Sequence, residues 1–420
     1  MVPKGWNSWI LSDICRKQIS YGIVQTGDNL PNGIPCLRVV DLTRDVMRLE
    51  DMIKTSEETN KAYRKTILEK DEIVMALRGE IGLARLIDDN LVGANITRGL
   101  ARISPETKVV LPEFLLWELR SPQFRADLIR RVGGSALQEI SLTELRKVRT
   151  LLPPLLEQKK IAQILSTWDK AISVTEKILA NSQQQKKALM QQLLTGKKRL
   201  GMPADSYEFK LTHYGSIPKD WDYPAIKEVC TQVSEKNSEA ADYPVLSCSK
   251  HDGFVDSLKY FNKKVYSDDL SGYRLIHRGC FGFPSNHIEE GSIGLQSLYE
   301  TGIVSPIYVV FRASPTLVDN SYLYAVLKTD HYRQIFGAAT NASVDRRGSL
   351  RWKEFSQIHV PLPPLKEQQK IAAVLSAADA EIFTLEKKLA CLKDEKKALM
   401  QQLLTGKRRV KVEAEEAVSA

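Results

Sequence analysis

Two segments of this chain share the stretch Lys186-Lys187-Ala188-Leu189-Met190-Gln191-Gln192-Leu193-Leu194-Thr195-Gly196-Lys197, which recurs without change at Lys396 to Lys407. Upstream of it, Glu157-Gln158-Lys159-Lys160-Ile161-Ala162 matches Glu367-Gln368-Gln369-Lys370-Ile371-Ala372 without a gap. Further upstream, Leu152-Pro153-Pro154-Leu155 reappears 210 positions later as Leu362-Pro363-Pro364-Leu365. Chance does not produce identity over such a length, so the chain contains an internal repeat.

A weaker repeat opens each half of the chain. Val2-Pro3-Lys4-Gly5-Trp6 stands 215 positions before Ile217-Pro218-Lys219-Asp220-Trp221. The two variable regions that follow, about 5–152 and 217–362, align with each other only at their edges. Neutral drift after a duplication would erode all segments alike. A fixed segment beside a divergent one therefore indicates a shared scaffold that carries two different specificities.

The repeated segments carry the heptad pattern of paired helices, with apolar or core-type positions at alternating steps of four and three. Neither run contains a proline, and Gly196 and Gly406 stand where a helix is expected to stop. One alternative is that each helix packs on its own domain, but the length of the pattern favours a helix-helix pair. Lys186 and Lys396 interrupt the two patterns at the same position, which favours an intramolecular pair of specified register. The first pattern is Ile161, Leu165, Trp168, Ile172, Thr175, Leu179, Ser182, Lys186, Leu189 and Leu193, and the second is Ile371, Leu375, Ala378, Ile382, Leu385, Leu389, Leu392, Lys396, Leu399 and Leu403.

Connectivity predicts the direction of the pair. The termini of a compact domain usually lie close together, so the second helix is expected to begin near the end of the first and to run antiparallel to it. The linker from Lys198 to Ser216 is long enough to permit a parallel arrangement as well. The predicted fold is α+β, with two mixed α/β domains separated by two long helices in an antiparallel coiled coil and a pseudo-two-fold internal repeat. The predicted rod spans ~50 Å, or roughly 15 base pairs of duplex.

Composition limits the class of protein and the kind of partner. The chain has 60 Lys and Arg against 51 Asp and Glu, a formal net charge of +9, which favours a polyanionic partner. The six cysteines form no CxxC pair, which argues against a zinc ribbon or a disulfide framework and suits a reducing compartment. The sequence shows no signal-peptide pattern and no apolar run of the roughly 18–20 residues that span a bilayer. We expect a cytoplasmic protein without a membrane partner.

Both variable regions combine strand-like and helical patterns. Strands are predicted at Glu72–Leu77 and Ile307–Phe311, and helical stretches at Glu113–Arg131 and Ser321–Phe336. Glycine-marked turns between strands carry polar and basic residues. Arg can contact guanine in bidentate fashion, Asn can do the same with adenine, and Ser can hold phosphate. The alternative for each residue is a solvated surface or turn role. The predicted DNA-contacting residues are Arg78, Asn95, Thr97, Arg98, Arg274, Ser285, Asn286, Arg346 and Arg347.

The whole chain resembles the specificity subunits of type I restriction-modification enzymes. The resemblance rests on the two Leu-Pro-Pro-Leu and Glu-Gln junctions and on the two identical helix ends. The stretch from Asp71 to Gly82 also looks like the core of the family's recognition domain, as do Ser285-Asn286 and Gly291 to Pro306 in the second region.

The resemblance implies two target-recognition domains, at 1–152 and within 201–362, where the second includes the linker. The conserved helices are expected at 153–200 and 363–408, followed by a disordered tail at 409–420. Each recognition domain would read one half of an asymmetric, bipartite site in double-stranded DNA, and the coiled coil would set the spacing. Two methylation subunits would dock on the repeats, and translocase/nuclease subunits would complete the restriction complex. S-adenosylmethionine, ATP and Mg²⁺ are expected in those partners, with no cofactor in this chain.

No catalytic motif is recognisable in the sequence. It contains no Asn/Asp-Pro-Pro-aromatic run for amino-methylation and no glycine-rich strand-to-helix turn for S-adenosylmethionine. Leu194-Thr195-Gly196-Lys197 closes a helix instead of opening one, unlike a phosphate-binding loop. Asp205 with Glu208 is too tightly spaced for a nuclease cluster, and Cys280, His277 and His287 lack a further paired ligand set, so no metal is expected.

Two rival functions stay open at this point. A single-chain restriction-modification enzyme would need the missing methylation motif. A structural adaptor would bind protein with its two domains, and its binding would not weaken steeply with added salt as phosphate-led binding does.

Overall fold

The computed structural model of the protein describes residues 2–133, 138–203, 206–239, 241–341 and 349–412. Its contacts divide the chain into two compact units, which each contain one variable region. Unit 1 is formed by Met1–Lys177 together with Lys387–Ala420, and unit 2 by Ile178–Glu386. Each unit therefore includes the first part of one repeated helix and the last part of the other.

Unit 1 is built around an antiparallel sheet with the strand order β2-β8-β5-β6, and a second sheet has the order β4-β3-β7. The central strand β5 is buried along its whole length, because Ile73 and Met75 pack into one core and Val74 and Ala76 into another. The elements are β1 (Asn7–Ile10), β2 (Cys15–Tyr21), β3 (Ile34–Leu37), α1 (Val39–Leu42), β4 (Ile53–Thr55), α2 (Glu57–Ala62), β5 (Ile73–Ala76), β6 (Ala84–Leu86), β7 (Asn95–Ile96), β8 (Leu100–Pro105), α3 (Pro112–Leu119), α4 (Pro122–Arg130), α5 (Leu142–Arg146), β9 (Arg149–Leu152) and α6 (Leu155–Leu193).

Unit 2 repeats this plan, with the strand order β12-β19-β16-β17 in its main sheet. Phe281 and Phe283 of β16 lie in an aromatic core with Phe311 and Phe355. The elements are β10 (Phe209–Thr212), β11 (Gly215–Pro218), α7 (Ile226–Val229), β12 (Cys230–Val233), β13 (Leu246–Ser249), β14 (Gly253–Asp256), α8 (Ser257–Phe261), β15 (Arg274–His277), β16 (Phe281–Pro284), β17 (Gly294–Leu295), β18 (Thr301–Val304), β19 (Tyr308–Ala313), α9 (Asn320–Leu327), α10 (Asp330–Asn341), α11 (Trp352–Phe355) and α12 (Leu365–Leu403).

The predicted α+β class and internal repeat are confirmed, but each predicted helical stretch in the variable regions is two helices. The first stretch breaks before Pro122, whose ring cannot continue a helix, and Ser121 caps α4 by accepting from the Phe124 N–H at 3.1 Å. The second stretch breaks before Asp330, where the Thr329 hydroxyl accepts from the Tyr332 N–H at 3.4 Å. Both predicted stretches are therefore helical, and each is formed by two consecutive helices.

The two repeated helices, α6 and α12, each run for 39 residues without interruption. All of the predicted heptad positions are buried or half-buried, whereas most of the positions between them are exposed. Within unit 1 the start of α6 lies beside the end of α12, and within unit 2 the end of α6 lies beside the start of α12. The pairing is antiparallel in unit 1, since Lys396 and Lys393 pair with Asp169 and Glu176 in reverse order. It is also antiparallel in unit 2, where Ser182 and Lys186 pair with Glu381 and Asp379.

The helix ends agree with the sequence prediction. Gly196 and Gly406 follow α6 and α12 with positive φ angles of 69° and 65°, a conformation that favours glycine. Each also lies so close to a proline that a Cβ atom would clash, with Pro218 at 2.4 Å and Pro3 at 2.5 Å. No helix within the described residues is both long and apolar enough to cross a membrane.

Candidate nucleic-acid interface

A cationic cleft of about 900 Å³ lies in unit 2 between the main sheet and α11. Two backbone hydrogen bonds hold Ser285 in place in this cleft: its N–H donates to the Ile307 carbonyl at 3.2 Å, and its carbonyl accepts from the Leu350 N–H at 2.8 Å. Three cations line the cleft, and none of the lining residues that the structure describes is acidic. We call this site the unit 2 cleft; it is lined by Gln232, Arg274, Ser285, Asn286, Pro306, Ile307, Tyr308, Val309, Ser349, Arg351, Trp352 and Lys353.

The unit 2 cleft brings together three of the residues predicted to contact DNA, namely Arg274, Ser285 and Asn286. Arg274 is held on β15 by a hydrogen bond from its Nε to the Pro306 carbonyl at 3.2 Å. Arg346 and Arg347 lie outside the residues that the structure describes. The sequence interpretation missed Arg351 and Lys353, although they continue the same basic run beyond Arg347.

Uncharged polar groups complete the unit 2 cleft. Burial raises the pKa of the Tyr308 phenol to about 12, so this group stays neutral at physiological pH. Its hydroxyl oxygen accepts a hydrogen bond from the Cys248 N–H at 2.9 Å, which fixes the ring against β13. Half-buried Gln232 and Asn286 add amide donors and acceptors. The cleft therefore combines positive charge with groups that can distinguish base edges.

Unit 1 places Arg78 where unit 2 places Asn286, two residues beyond the end of the corresponding central strand. Leu77, the residue before Arg78, makes two backbone hydrogen bonds that correspond to those of Ser285. The Leu77 N–H donates to the Gly99 carbonyl, and the Leu77 carbonyl accepts from the Ile140 N–H, both at 2.9 Å. A Cβ atom at Gly99 would lie 3.1 Å from the Arg78 Nε, so glycine there leaves room for the guanidinium. The turn after Arg78 lines a separate cavity of about 380 Å³ against α4, whose lining residues are Gly79, Glu80, Ile81, Arg125, Ile129, Val132 and Gln138.

The structure contradicts the prediction that Asn95 contacts a base. Its side chain is fully buried, and its amide donates to Asn60 Oδ1 at 2.7 Å while its oxygen accepts from the Thr66 hydroxyl at 2.8 Å. A buried amide with satisfied partners stabilises the domain and is unavailable to DNA. Thr97 is half-buried and donates to the Leu37 carbonyl at 3.1 Å, whereas Arg98 is exposed.

In each unit, the residues predicted for the coiled coil pack the start of one repeated helix against the end of the other. In unit 1, Ile161 and Leu165 lie in one core with Leu399 and Leu403. In unit 2, Ile371 and Leu375 lie in one core with Leu189 and Leu193. Trp168 and Leu389 are half-buried. The interrupting lysines form equivalent cross-helix ion pairs, Lys186 with Asp379 and Lys396 with Asp169.

An arginine after each long helix ties it to the start of the other. In unit 2, the Arg199 guanidinium holds both Glu367 oxygens, with Nε at 2.9 Å and Nη2 at 2.6 Å, and this carboxylate raises the pKa of Arg199. In unit 1, the Arg409 Nε donates to Glu157 at 2.8 Å, and the Trp6 indole donates to the same carboxylate at 2.9 Å. The identical helix ends are therefore held by equivalent contacts in both units.

One group of side chains within the described residues has ligand atoms close enough to share a metal ion. It comprises His287, Glu289 and Glu290, whose ligand atoms lie within 4.8 Å of one another at the surface of unit 2. Cys280 and His277 do not belong to this group. The two ring nitrogens of His277 are hydrogen-bonded to the Thr301 hydroxyl and to the Glu235 carboxylate, each at 3.0 Å. Exposed groups of this kind are common without an ion.

The sequence and the fold were compared with known proteins. A family model described as "Type I restriction modification DNA specificity domain" matches residues 3–181 and again residues 218–392. The specificity subunit of the EcoBI type I restriction enzyme of Escherichia coli is 32% identical over 165 residues, which cover 39% of this chain and 35% of that protein. A putative type I restriction enzyme MjaX specificity subunit of Methanocaldococcus jannaschii is 26% identical over 98% of this chain and 95% of its own length.

Solved structures show the same fold at low sequence identity. The S subunit of a type I restriction-modification system from M. genitalium aligns with a TM-score of 0.57 and 14% identity, over 98% of this chain and 97% of its own. The HsdS subunit from Thermoanaerobacter tengcongensis aligns with a TM-score of 0.50 and 17% identity, over 96% and 98% of the two chains.

Proposed function

This chain belongs to the family of type I restriction modification DNA specificity proteins, and we propose that each of its two units reads one half of a bipartite, asymmetric DNA site. The chain is a specificity subunit, the DNA-recognition component of a type I restriction-modification system. The finer proposal rests most directly on the unit 2 cleft, where three cations and several amide and hydroxyl groups meet without an acidic lining residue among those described.

The two half-sites are expected to differ in sequence, because equivalent positions of the two units carry different base-contacting residues. Arg78 and Asn286 both follow the central strand of their units, and they match the bidentate patterns of guanine and adenine respectively. Arg98, Arg274 and Ser285 supply further contacts to bases or phosphates in this proposal, as do Arg346 and Arg347. Arg351 and Lys353 join this set because they line the same cleft.

The repeated helices are the proposed spacer and the proposed docking sites. A helix of 39 residues is about 58 Å long at 1.5 Å per residue, so a continuous antiparallel coiled coil of α6 and α12 would fix the unread gap. The identical surfaces at the two helix ends would bind two copies of one methylation subunit. Translocase/nuclease subunits would then complete the complex, and S-adenosylmethionine, ATP and Mg²⁺ would bind to these partners.

The division of labour assigns no catalytic step to this chain. Its own groups orient DNA by charge and hydrogen bonding, and the methylation subunit would modify adenine. We expect the purified chain alone neither to methylate nor to cut DNA. Methylation or cleavage by a preparation shown to contain this chain alone would overturn this part of the proposal.

An exchange experiment tests the two-domain proposal. Residues 5–152 are replaced by the matching region of another specificity subunit, and methylated adenines are mapped in cells that express the methylation partner. One half of the methylated motif should change while the other half is retained. A change in both halves would contradict independent reading, and DNA binding that is indifferent to salt would favour a protein-binding adaptor instead.

A further inference from the structure

An exposed aromatic and basic patch lies on unit 2 outside the unit 2 cleft. It comprises residues 258–265, which are all exposed and carry the sequence Leu-Lys-Tyr-Phe-Asn-Lys-Lys-Val. The exposed fraction is 52% for Leu258, 49% for Tyr260, 42% for Phe261 and 45% for Val265. Single exposed apolar side chains are ordinary on a protein surface, but four within eight residues mark an interaction surface.

The patch is held on an ordered element. Asp256 caps α8 by accepting from the Lys259 N–H at 3.1 Å, and the same carboxylate accepts from the Tyr299 hydroxyl at 2.7 Å. The rings of Tyr260 and Phe261 pack edge to face with centroids 5.1 Å apart. The fold therefore fixes residues 258–261 of the patch on α8, and residues 262–265 follow directly after this helix.

The equivalent element of unit 1 shows that the fold does not require such a surface. Helix α2 follows β4 as α8 follows β14, and each of these strands pairs antiparallel with the strand before it. In unit 1 that earlier strand, β3, runs parallel to β7, and in unit 2 Val245, just before β13, forms a parallel bridge with Ile303. The exposed residues of α2 include Glu57 and Glu58 and no large apolar side chain. The aromatic rings and lysines of the patch thus belong to the specificity of unit 2 and not to its scaffold.

The start of α8 also lies near the unit 2 cleft. The Ser257 N–H donates to the Val245 carbonyl at 2.9 Å, Val245 bridges to Ile303, and Ile303 pairs with Leu275 beside Arg274. Three chain spacings of about 4.8 Å place α8 roughly 14 Å from β15. That distance is comparable to the ~12 Å width of the major groove, so one duplex can reach both sites.

We propose that residues 258–265 form a second DNA-contacting surface of unit 2, where the lysines bind phosphates and the Tyr260 and Phe261 rings contact sugars or base edges. This inference rests on the proposed function and extends it from base reading in the cleft to a contact beside the half-site. Charge favours this partner, because Lys259, Lys263 and Lys264 lie within eight residues of one another. Lys259 and Lys264 pair with Asp256 and Asp268 at the edges of the patch, and exposed ion pairs of this kind are weak enough for phosphates to replace the carboxylates. Aromatic rings beside cations are the groups that bind nucleic acid without strong sequence preference.

The experiment measures binding of the full chain to a fluorescein-labelled 30-base-pair duplex of mixed sequence over a series of NaCl concentrations. The triple variant Lys259→Ala, Lys263→Ala, Lys264→Ala should make the slope of log K against log salt shallower by about 2 to 3, at about 0.9 per phosphate contact. The double variant Tyr260→Ser, Phe261→Ser should weaken binding about tenfold and leave the slope unchanged. All five positions are exposed, so the fold should tolerate these changes.

The control combines Leu211→Ser and Lys388→Ala, which remove an exposed apolar group and an exposed cation elsewhere, and it should bind as the parent does. If the parent binds with a steep salt slope and both patch variants keep its affinity and slope, the patch does not contact DNA and the inference fails alone. Variants that keep DNA binding but lose a protein partner would likewise overturn it. If the parent chain does not bind duplex, the proposed function fails together with the inference.

Discussion

Asn286 and Arg78 are the two single residues that we propose to read bases in the two half-sites. Truncation of Asn286 removes one donor and one acceptor from the unit 2 cleft, and a bidentate base contact contributes about 1–3 kcal/mol of discrimination. We expect Asn286→Ala to relax one position in one half of the methylated motif and to leave the other half intact, as measured by genome-wide mapping of methylated adenine. The exposed Asn90→Ala is the matched control, and an unchanged motif in the Asn286 variant would remove this residue from the readers.

Asn95 illustrates what residue type alone cannot decide. An asparagine in a turn can contact adenine or can close a buried network, and only burial separates the two roles. Here Asn95 is bonded to Asn60, Thr66 and the Tyr63 carbonyl, partners that lie 29 to 35 positions away in the sequence. No local pattern announces such contacts, so the sequence interpretation placed this residue on the DNA.

Replacement of Asn95 tests the corrected role. Asn95→Ala removes the partner of the half-buried Asn60 amide oxygen and leaves the Thr66 hydroxyl only its hydrogen bond to the Tyr63 carbonyl, which should lower the free energy of unfolding by about 1–3 kcal/mol. Chemical denaturation of the purified chain measures this loss, and the methylated motif should not change. A variant of normal stability with an altered first half-site would restore Asn95 to the DNA-contacting residues.

Glu118 is a buried carboxyl that responds to pH. Burial raises its pKa to about 8, the Leu151 N–H donates to one of its oxygens at 3.3 Å, and the other oxygen has no partner among the described residues. A carboxyl whose pKa is higher in the folded state favours folding at low pH, and this contribution is lost as pH rises towards 8. The seventh residue of the equivalent helix α9 is Val326, which carries no charge.

We therefore expect Glu118→Val to raise the melting temperature, and the gain over the parent should grow between pH 5 and pH 8. Thermal unfolding followed by circular dichroism at pH 5, 6, 7 and 8 measures the difference. Glu113→Val on the same helix is the control, because Glu113 is exposed and its removal should give no such pH dependence. A pH-independent difference for Glu118→Val would show that the carboxyl is charged throughout this range.

The contacts at the helix ends differ in burial although their residues are equivalent. The Arg199 side chain is 4% exposed and that of Arg409 is 43% exposed. Arg199→Ala would strand the Glu367 carboxylate, which should cost about 3 kcal/mol of unfolding free energy. Arg409→Ala should cost about 1 kcal/mol or less, because the Arg409 guanidinium is exposed and the Trp6 indole still donates to the buried Glu157 carboxylate. Urea denaturation of the two variants measures the difference. Equal losses of unfolding free energy would contradict the larger contribution assigned to the buried Arg199–Glu367 ion pair.

At the scale of elements, the repeated helices were the most predictable part of the fold. Their heptad pattern depends on local periodicity, and it correctly identified the buried positions. Connectivity predicted the antiparallel pairing of the ends, and the glycines predicted the stops at Gly196 and Gly406. Pro122 divides the first helical stretch into two helices, because its ring cannot continue a helix. The unit 2 cleft could be predicted only in part, because Arg274, Asn286 and Lys353 meet through long-range strand pairing that no spacing encodes.

For the whole molecule, the proposed spacer makes a quantitative prediction. Insertion of one heptad into both α6 and α12 preserves the seam and lengthens a coiled coil by about 10 Å, or roughly three base pairs. The unread gap of the methylated motif should therefore grow by about three base pairs while both half-sites persist, as measured by methylation mapping. An insertion of four residues in each helix breaks the heptad pattern and serves as the control. An unchanged gap after the heptad insertion would exclude the spacer role.

The central claim is that this chain directs methylation to one split sequence. The most direct measurement maps methylated adenines across the genome in cells that express the methylation partner with this chain and in cells that lack this chain alone. The account predicts that methylation is lost at a single motif of two different halves separated by a fixed unread gap. An unchanged methylation pattern, with the partner shown to be expressed and active, would contradict it.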